Sequence, residues 1–399
     1  MSKCVILGWI GFLLVIGAIL LLAKYELGIT ITIGAIIFAL FSLVNPIFPI
    51  IEVLSDPSVL FLAIAVALIP ILGGIMDESG LMLELIQNMN VSKRVSIIVS
   101  PALFGVFPVP GGALMSAPMV DQIDKSIDDG RKVAINVWYR HVVILLNPLS
   151  QSLIVPALIA GLDRYYIVLL MIFPFVLLIV IGYIFLVKSI KKSPKDNERN
   201  LTIVLYNLIP IITAPVIDIL GRFFFPFIVP ELFLVIGLVL SIGISLKMGN
   251  LKLIRIKSIS KKMRIWRFPL LIFGMFLFLE VFLSSGLPID ISNLNLPFIL
   301  FIFIAFFLGF ATGRIQLPMS ILIPIYLVQN LISMMPLLNF IILYLSVFLG
   351  YLITPIHPCV SYSMNYYETS YSNVIKKLLI PTFVSFTVFF GIYLIWSLF

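Results

Sequence analysis

The residues of this 399-residue chain best placed to do chemistry sit where its apolar runs break. FPVPGGALMSAPM, residues 107–119, sets three prolines and two adjacent glycines in the middle of a greasy stretch. GFATGRIQLPMS, beginning at Gly309, breaks a second stretch with Thr312, Gly313, Arg314 and Gln316. Two further breaks pair proline with hydrogen-bonding side chains: Asn147-Pro148 with Ser150, Gln151 and Ser152, and Thr354-Pro355-Ile356-His357-Pro358 with Ser361 and Ser363. Backbone inside a bilayer must be satisfied internally, so a break at that depth is buried in protein or lines a wet cavity. Each break is therefore a site candidate.

The chemistry follows from the breaks. A hairpin tip offers the free N–H groups and positive dipole end of its descending half-helix, a ready anion site. Gly111 and Gly112, after Pro110, would let a ligand approach the backbone, and Ser116 would add a hydroxyl; the alternative is a plain surface turn. Arg314 is the sharpest single residue, because a guanidinium at membrane depth is expensive and its planar fork suits a carboxylate or phosphate. It is read as a ligand or gate, against a rim position or neutralisation by Glu280. Prolines free carbonyls one turn earlier, and these, with Asn147, Gln151 and Thr354, can hold Na+, unless the breaks are ordinary kinks satisfied by Ser and Thr. His357 can couple protons or simply hydrogen-bond. Glu280, in an apolar run, is a proton-carrier candidate as well as the possible partner of Arg314. His141, beside Arg140, reads as an interfacial anchor, and Asp218 as a local partner near Arg222. Cys4 and Cys359 lie far apart with no CxxC, and Cys359 beside His357 is only a weak Cys/His hint because neighbours two apart on a helix face different ways, so no metal site or prosthetic cofactor is expected, only Na+ or H+ as a coupling ion.

Composition fixes what must position these residues. The chain is 61% hydrophobic and 11% charged, with a mean hydropathy of +1.20, where soluble domains carry about 25% charged residues. An all-α polytopic membrane protein is expected. Its net charge of +8 sits in short connections and reads as a topology signal rather than a nucleic-acid surface. Spans are expected near 4–23, 27–44, 59–78, 141–160 and 165–187, then near 201–221, 223–246, 268–286, 338–364 and 378–398. Re-entrant hairpins fall at 95–120 and 297–325, because their half-runs are too short to cross alone. The positive-inside rule puts the basic connections 188–200 and 247–267 in the cytoplasm and both termini outside.

The halves echo each other. SGL at 79–81, the hairpin from Gly105 and the break at Asn147 are repeated by SGL at 285–287, the hairpin from Gly309 and the break at Thr354. Two units follow, 1–187 with hairpin 95–120 and broken helix 141–160, and 201–399 with hairpin 297–325 and broken helix 338–364, joined by the linker 188–200. Each has about five spans, an odd number, so the copies must be inverted. Paired interrupted helices in inverted repeats are the signature of secondary transporters.

PVPGGALMSAPM, GFATGRIQLPMS and TPIHP together resemble an uncharacterised family of prokaryotic integral membrane proteins. That family is grouped within the ion transporter superfamily with gluconate, citrate and arsenite permeases. The resemblance covers nearly the whole chain by order of elements and is motif-specific at the first hairpin. It implies separate scaffold and transport domains, a homodimer in the cytoplasmic membrane, and symport of a small anion with Na+ or H+, often by an elevator motion. The tips here, Pro110-Gly111-Gly112 and Thr312-Gly313-Arg314, depart from the Ser-Asn-Thr motifs of the carboxylate carriers, so those carriers' specificity does not carry across. An anion channel would share the polar breaks but does not need two duplicated hairpins. An intramembrane hydrolase lacks support, because the chain has no HExxH or GxSxG, and no enzymatic activity is expected.

Overall fold

A computed structural model describes residues 3–22, 26–88, 92–106, 112–191 and 200–398, and all regular structure among these is helical. The first half runs α1 (Lys3–Leu22), α2 (Leu27–Phe41), α3 (Ile47–Ser55), α4 (Pro57–Glu78), α5 (Leu81–Asn88), α6 (Lys93–Gly105), α7 (Gly112–Ile123), α8 (Asp129–Val142), α9 (Gln151–Ile159) and α10 (Arg164–Gly182). The second runs α11 (Leu201–Phe224), α12 (Pro230–Met248), α13 (Arg255–Met263), α14 (Arg267–Ser284), α15 (Leu287–Ser292), α16 (Phe298–Thr312), α17 (Gln316–Gln329), α18 (Leu337–Ile353), α19 (Pro358–Tyr366) and α20 (Tyr371–Trp396).

Seven helical stretches among the described residues are long and apolar enough to cross a membrane: α4, α10 with its π-helical extension to Val187, α11, α12, α14, α18 continued through α19, and α20. Asp129–Leu146 and Gln151–Ile159, bent by 43°, make an eighth when taken as one span. The chain is a polytopic helical membrane protein.

Local chemistry sets the boundaries. Asp56 caps α4 by accepting from Ser58 N at 2.8 Å, with Pro57 in the first turn, where its missing N–H costs nothing. Asp128 caps α8 through Arg131 N at 3.1 Å. That helix therefore starts well before the span expected at 141–160. Its polar stretch is held by partners that hydropathy cannot see: Lys132 bonds Asp121 at 2.7 Å and Asp129 at 3.1 Å, and Arg131 Nε donates to Leu186 O at 2.7 Å. The span expected from 223 starts only at Pro230, because proline fits the first turn of a helix but disfavours helix in the residue before it. The short helices α3, α5, α13 and α15 fall in what reads as connection. On α13, for instance, only Ile259 and Met263 turn inward, against α4 at Gly74.

The helices pack in two sets. In one, α2 lies along α14 and α12 along α4, α4 meets α14, α1 covers α2 and α11 covers α12, while α3 rests on α14 and α13 on α4. In the other, α6 packs on α7 and α8, α16 on α17 and α18, α7 on α19 and α17 on α9. Left-handed backbone turns recur at like places: Leu43 and Asn250 after α2 and α12, Gly80 and Gly286 after α4 and α14, Gly161 and Glu368 after α9 and α19.

Candidate functional site

Three chain breaks of the second set and the end of α6 converge on one cavity of about 270 Å³. Its wall is built from the end of α6 (Gly105, Val106), the last turn of α8 (Arg140, His141) and the Asn147–Ser150 break leading into Gln151 and Ser152 of α9. The opposite wall comes from Gly313, Arg314 and Ile315 between α16 and α17, with Gln316, and from Tyr351, His357, Pro358 and Cys359 around the α18–α19 break. Phe268 of α14 adds a contribution from the first set.

The Asn147, Gly313 and Thr354 breaks are fixed by hydrogen bonds. Asn147 Nδ2 donates to Val106 O at 2.6 Å while its Oδ1 accepts from Leu149 N at 3.0 Å, so one side chain both turns the chain and ties the break to the end of α6. Gln151 Nε2 donates to Val66 O on α4 at 3.0 Å, joining the two helix sets. Ser150 and Ser152 hydroxyls lie 2.7 Å apart, with Tyr344 OH 3.2 Å from Ser152. Thr312 Oγ1 donates to Leu308 O at 2.7 Å and accepts from Arg314 N at 3.3 Å, which shapes the turn. Gly313 takes a left-handed φ of 60°, and a β-carbon there would sit 3.3 Å from His357 N. Only glycine suits both conditions, so the second turn is seated directly on the second break.

The electrostatics are one-sided. Two guanidiniums line the cavity, and no carboxylate does among the described residues. Nor does an ion pair join Arg140 or Arg314 to an acid among those residues. Arg140 is 5% exposed with Nη1 unpartnered. The charged neighbours of Arg314 are Glu26 and Arg267, which are paired to each other. The first residues of α9, α17 and α19 also lie on the cavity wall, so three positive helix ends add to the two side-chain charges. An anion is what this arrangement can hold.

Of the residues read from the sequence as site candidates, Asn147, Gln151, Gly313, Arg314, Gln316 and His357 come together on this wall. Thr312 and Thr354 lie behind it, 2% and 0% exposed, bonded within their own turns. Pro110 and Gly111 lie outside the described residues; Gly112 opens α7, on which Ser116 is buried. Glu280 has Glu52 and Asp56 as its charged neighbours and is not on this wall, so of its two readings the alternative as partner of Arg314 is not what the fold brings together. His141 is not at an interface: it is 3% exposed, its ring centroid 4.4 Å from that of His357. The helix carrying it begins twelve residues earlier, at Asp129, which draws it inward.

Arg140, Tyr351 and Phe268 were not legible as site residues. Asn136 and Arg140, one turn apart on α8 and both buried, are the signal that could have marked a polar helix face. Cys359 beside His357 is a weak Cys/His hint in the sequence, and the fold brings its sulfur and a nitrogen each of His141 and His357 within 4.8 Å of one another.

Residues 8–396 match the family model described as "Protein of unknown function (DUF401)". The chain belongs to that family. No curated protein matches it. Nearly the whole chain lies within the family match, so the cavity, its two arginines and its three breaks all belong to the DUF401 region.

Proposed function

We propose that this DUF401 protein is a secondary transporter that carries a small anion across the cytoplasmic membrane of a prokaryote. The observation that carries the reading is the pair Arg140 and Arg314, facing one small cavity without an acid between them. Buried charges are ordinarily paired. A buried Arg140 with Nη1 unpartnered beside a half-buried Arg314 in no ion pair among the described residues, where helix breaks meet, is best explained by an anionic partner that comes and goes. The cavity's size favours a small carboxylate or oxyanion.

Transport rather than static binding is supported by the recurrence of parts. α2 packs on α14 as α12 packs on α4, and α7 packs on α19 as α17 packs on α9. The left-handed turns at 43, 80 and 161 return at 250, 286 and 368. A duplicated ten-helix unit accounts for this, and with an odd number of spans in each copy the two would be inverted. In that reading the first helix set is the scaffold and the second, holding most of the cavity, is the moving domain. Gln151, which bonds Val66 across the boundary, would have to release it on each passage. Coupling to Na+ or H+ belongs to the same reading, with the carbonyls and amide at the Asn147 break and His357 as the groups concerned. Membership of the ion transporter superfamily is part of the same proposal, supported by the motif resemblance and by this recurrence of parts.

The test is thermal unfolding of the purified protein against a panel of small carboxylates and inorganic oxyanions, with and without Na+ and at two pH values, beside Arg314→Ala. A ligand that binds only the native state raises stability by RT ln(1 + [L]/Kd), about 2.7 kcal/mol at a hundredfold excess over Kd. An anion-specific rise that disappears in the variant is expected. A folded wild type unmoved by every anion would sink the assignment.

A further inference from the structure

We propose that His141, His357 and Cys359 form a binding site for a soft, monovalent d10 metal ion, of which Cu(I) is the physiological example. Ligand atoms from the three side chains lie within 4.8 Å of one another, and they come from two elements far apart in sequence, the end of α8 and the start of α19. Both histidines are almost wholly buried.

Each ring is prepared for a ligand's role. His141 Nδ1 lies 2.6 Å from Val137 O. A carbonyl can only accept, so the proton sits on Nδ1 and the Nε2 lone pair is free. A metal-bound histidine is ordinarily oriented by a backbone carbonyl in this way. His357 Nδ1 is buried without any hydrogen-bond partner, a cost that coordination through that nitrogen would remove. The rings meet edge to face at 72°, their centroids 4.4 Å apart.

Charge and softness choose the metal. The cavity already holds two guanidiniums, and Arg140 is the charged neighbour of Cys359. A divalent ion would add to that positive charge. Cu(I) bound to a thiolate is neutral as a pair, and thiolate with imidazole suits it. On binding, the Cys359 S–H proton passes to water as the metal–sulfur bond forms, and no electron moves. Because the ligands share the cavity wall with Arg140 and Arg314, a bound metal would alter any anion bound there. The metal site itself does not depend on the anion reading.

The experiment is a competition for Cu(I), kept reduced with ascorbate, between the detergent-purified protein and the chromophoric chelator bicinchoninate. It is run in a Cys4→Ser background that removes the other thiol, and repeated by thermal unfolding with Ag(I), which cannot cycle its oxidation state. Expected is a single Cu(I) per chain, with Cys359→Ser weakening binding by more than the roughly 10–100-fold that loss of a mere orienting partner costs, and His357→Gln and His141→Gln each weakening it measurably. Ag(I) should raise the unfolding temperature of the background protein and not that of Cys359→Ser. A background protein that yields all its Cu(I) to the chelator, or a Cys359→Ser variant that holds Cu(I) equally well, overturns the proposal. Tight Zn(II) binding without Cu(I) binding overturns the choice of metal. Since metal is read directly, these results stand apart from the anion panel, and either reading can fail alone.

Discussion

Gly105 faces the backbone carbonyl of Arg140 so closely that a β-carbon at position 105 would lie 1.8 Å from that oxygen. Gly309 stands in the same relation to Val347, at 2.1 Å. In each case a small residue lets two helices touch backbone to backbone, the usual way helices pack tightly where lipid offers no hydrophobic drive. Alanine at either site must push the helices apart, and overpacking of this kind costs about 1–3 kcal/mol. Gly105→Ala and Gly309→Ala should both lower the unfolding temperature. Only the first displaces a cavity arginine directly, so it should lose more anion binding than its loss of stability explains. Equal binding by the two variants, each demonstrably folded, would detach Gly105 from the site.

A second buried charge group joins α10 to α11. Asp218, fully buried, pairs with Arg164 and accepts from Tyr165 OH, and Arg222 Nε reaches it at 3.2 Å. The sequence suggested only the local partner, Arg222. Asp218→Asn leaves Arg164 charged and buried, and breaking a buried pair from one side costs about 3–5 kcal/mol. Replacing both members by apolar residues, Arg164→Met with Asp218→Leu, should recover much of that loss. A single variant as stable as wild type in chemical unfolding would show that the neighbouring acids Asp163 and Glu231, which already meet Arg222, can take over the charge.

Much of the fold was legible because lipid imposes simple rules. The apolar runs at 59–78, 165–187 and 268–286 appear almost unchanged as α4, the α10 stretch and α14. The breaks at Asn147 and Thr354 were legible because proline and polar side chains stand out in such runs. What hid was whatever depends on partners. Arg131 and Lys132 look like loop until Leu186 and Asp121 are beside them. Arg140 and His141 look interfacial for the same reason, and Cys359 gains its neighbours only when α8 meets α19. Glu280 stands out in its apolar run, but the run does not say which way the helix turns it, and its charged neighbours are Glu52 and Asp56.

Asp124, in the connection between α7 and α8, supplies a pH-dependent contact. Burial pushes its carboxyl up, but Lys93 at 2.8 Å and two hydrogen bonds from Ser126 outweigh burial and hold it below the usual carboxylate range. A depressed folded-state value stabilises the protein above the unfolded value, about 3.9 for Asp, and that contribution fades as pH falls through the folded value. Wild type should therefore unfold at a higher temperature than Asp124→Asn at pH 7, and the two should converge as pH drops below about 4. A gap that stays constant with pH would assign the effect to shape rather than charge.

Arg140 allows the sharpest separation of a binding role from a structural one. A structural arginine stabilises the empty protein, so removing it lowers stability with or without anion. A buried guanidinium with Nη1 unpartnered does the reverse, because it carries a desolvation cost that an anion would offset. Arg140→Gln should thus leave the empty protein as stable as wild type or more so, while losing its response to the anion found in the panel. Hydrogen bonds to charged groups contribute about 1.5–3 kcal/mol, so the anion's Kd should rise by roughly 10–150-fold. Arg140→Lys keeps the charge but not the fork and should fall between the two. Unfolding temperatures with and without anion, together with calorimetric Kd values for the three proteins, give both signs at once. A Gln variant less stable when empty, with unchanged anion affinity, would make Arg140 a packing residue and remove half the basis for the anion site.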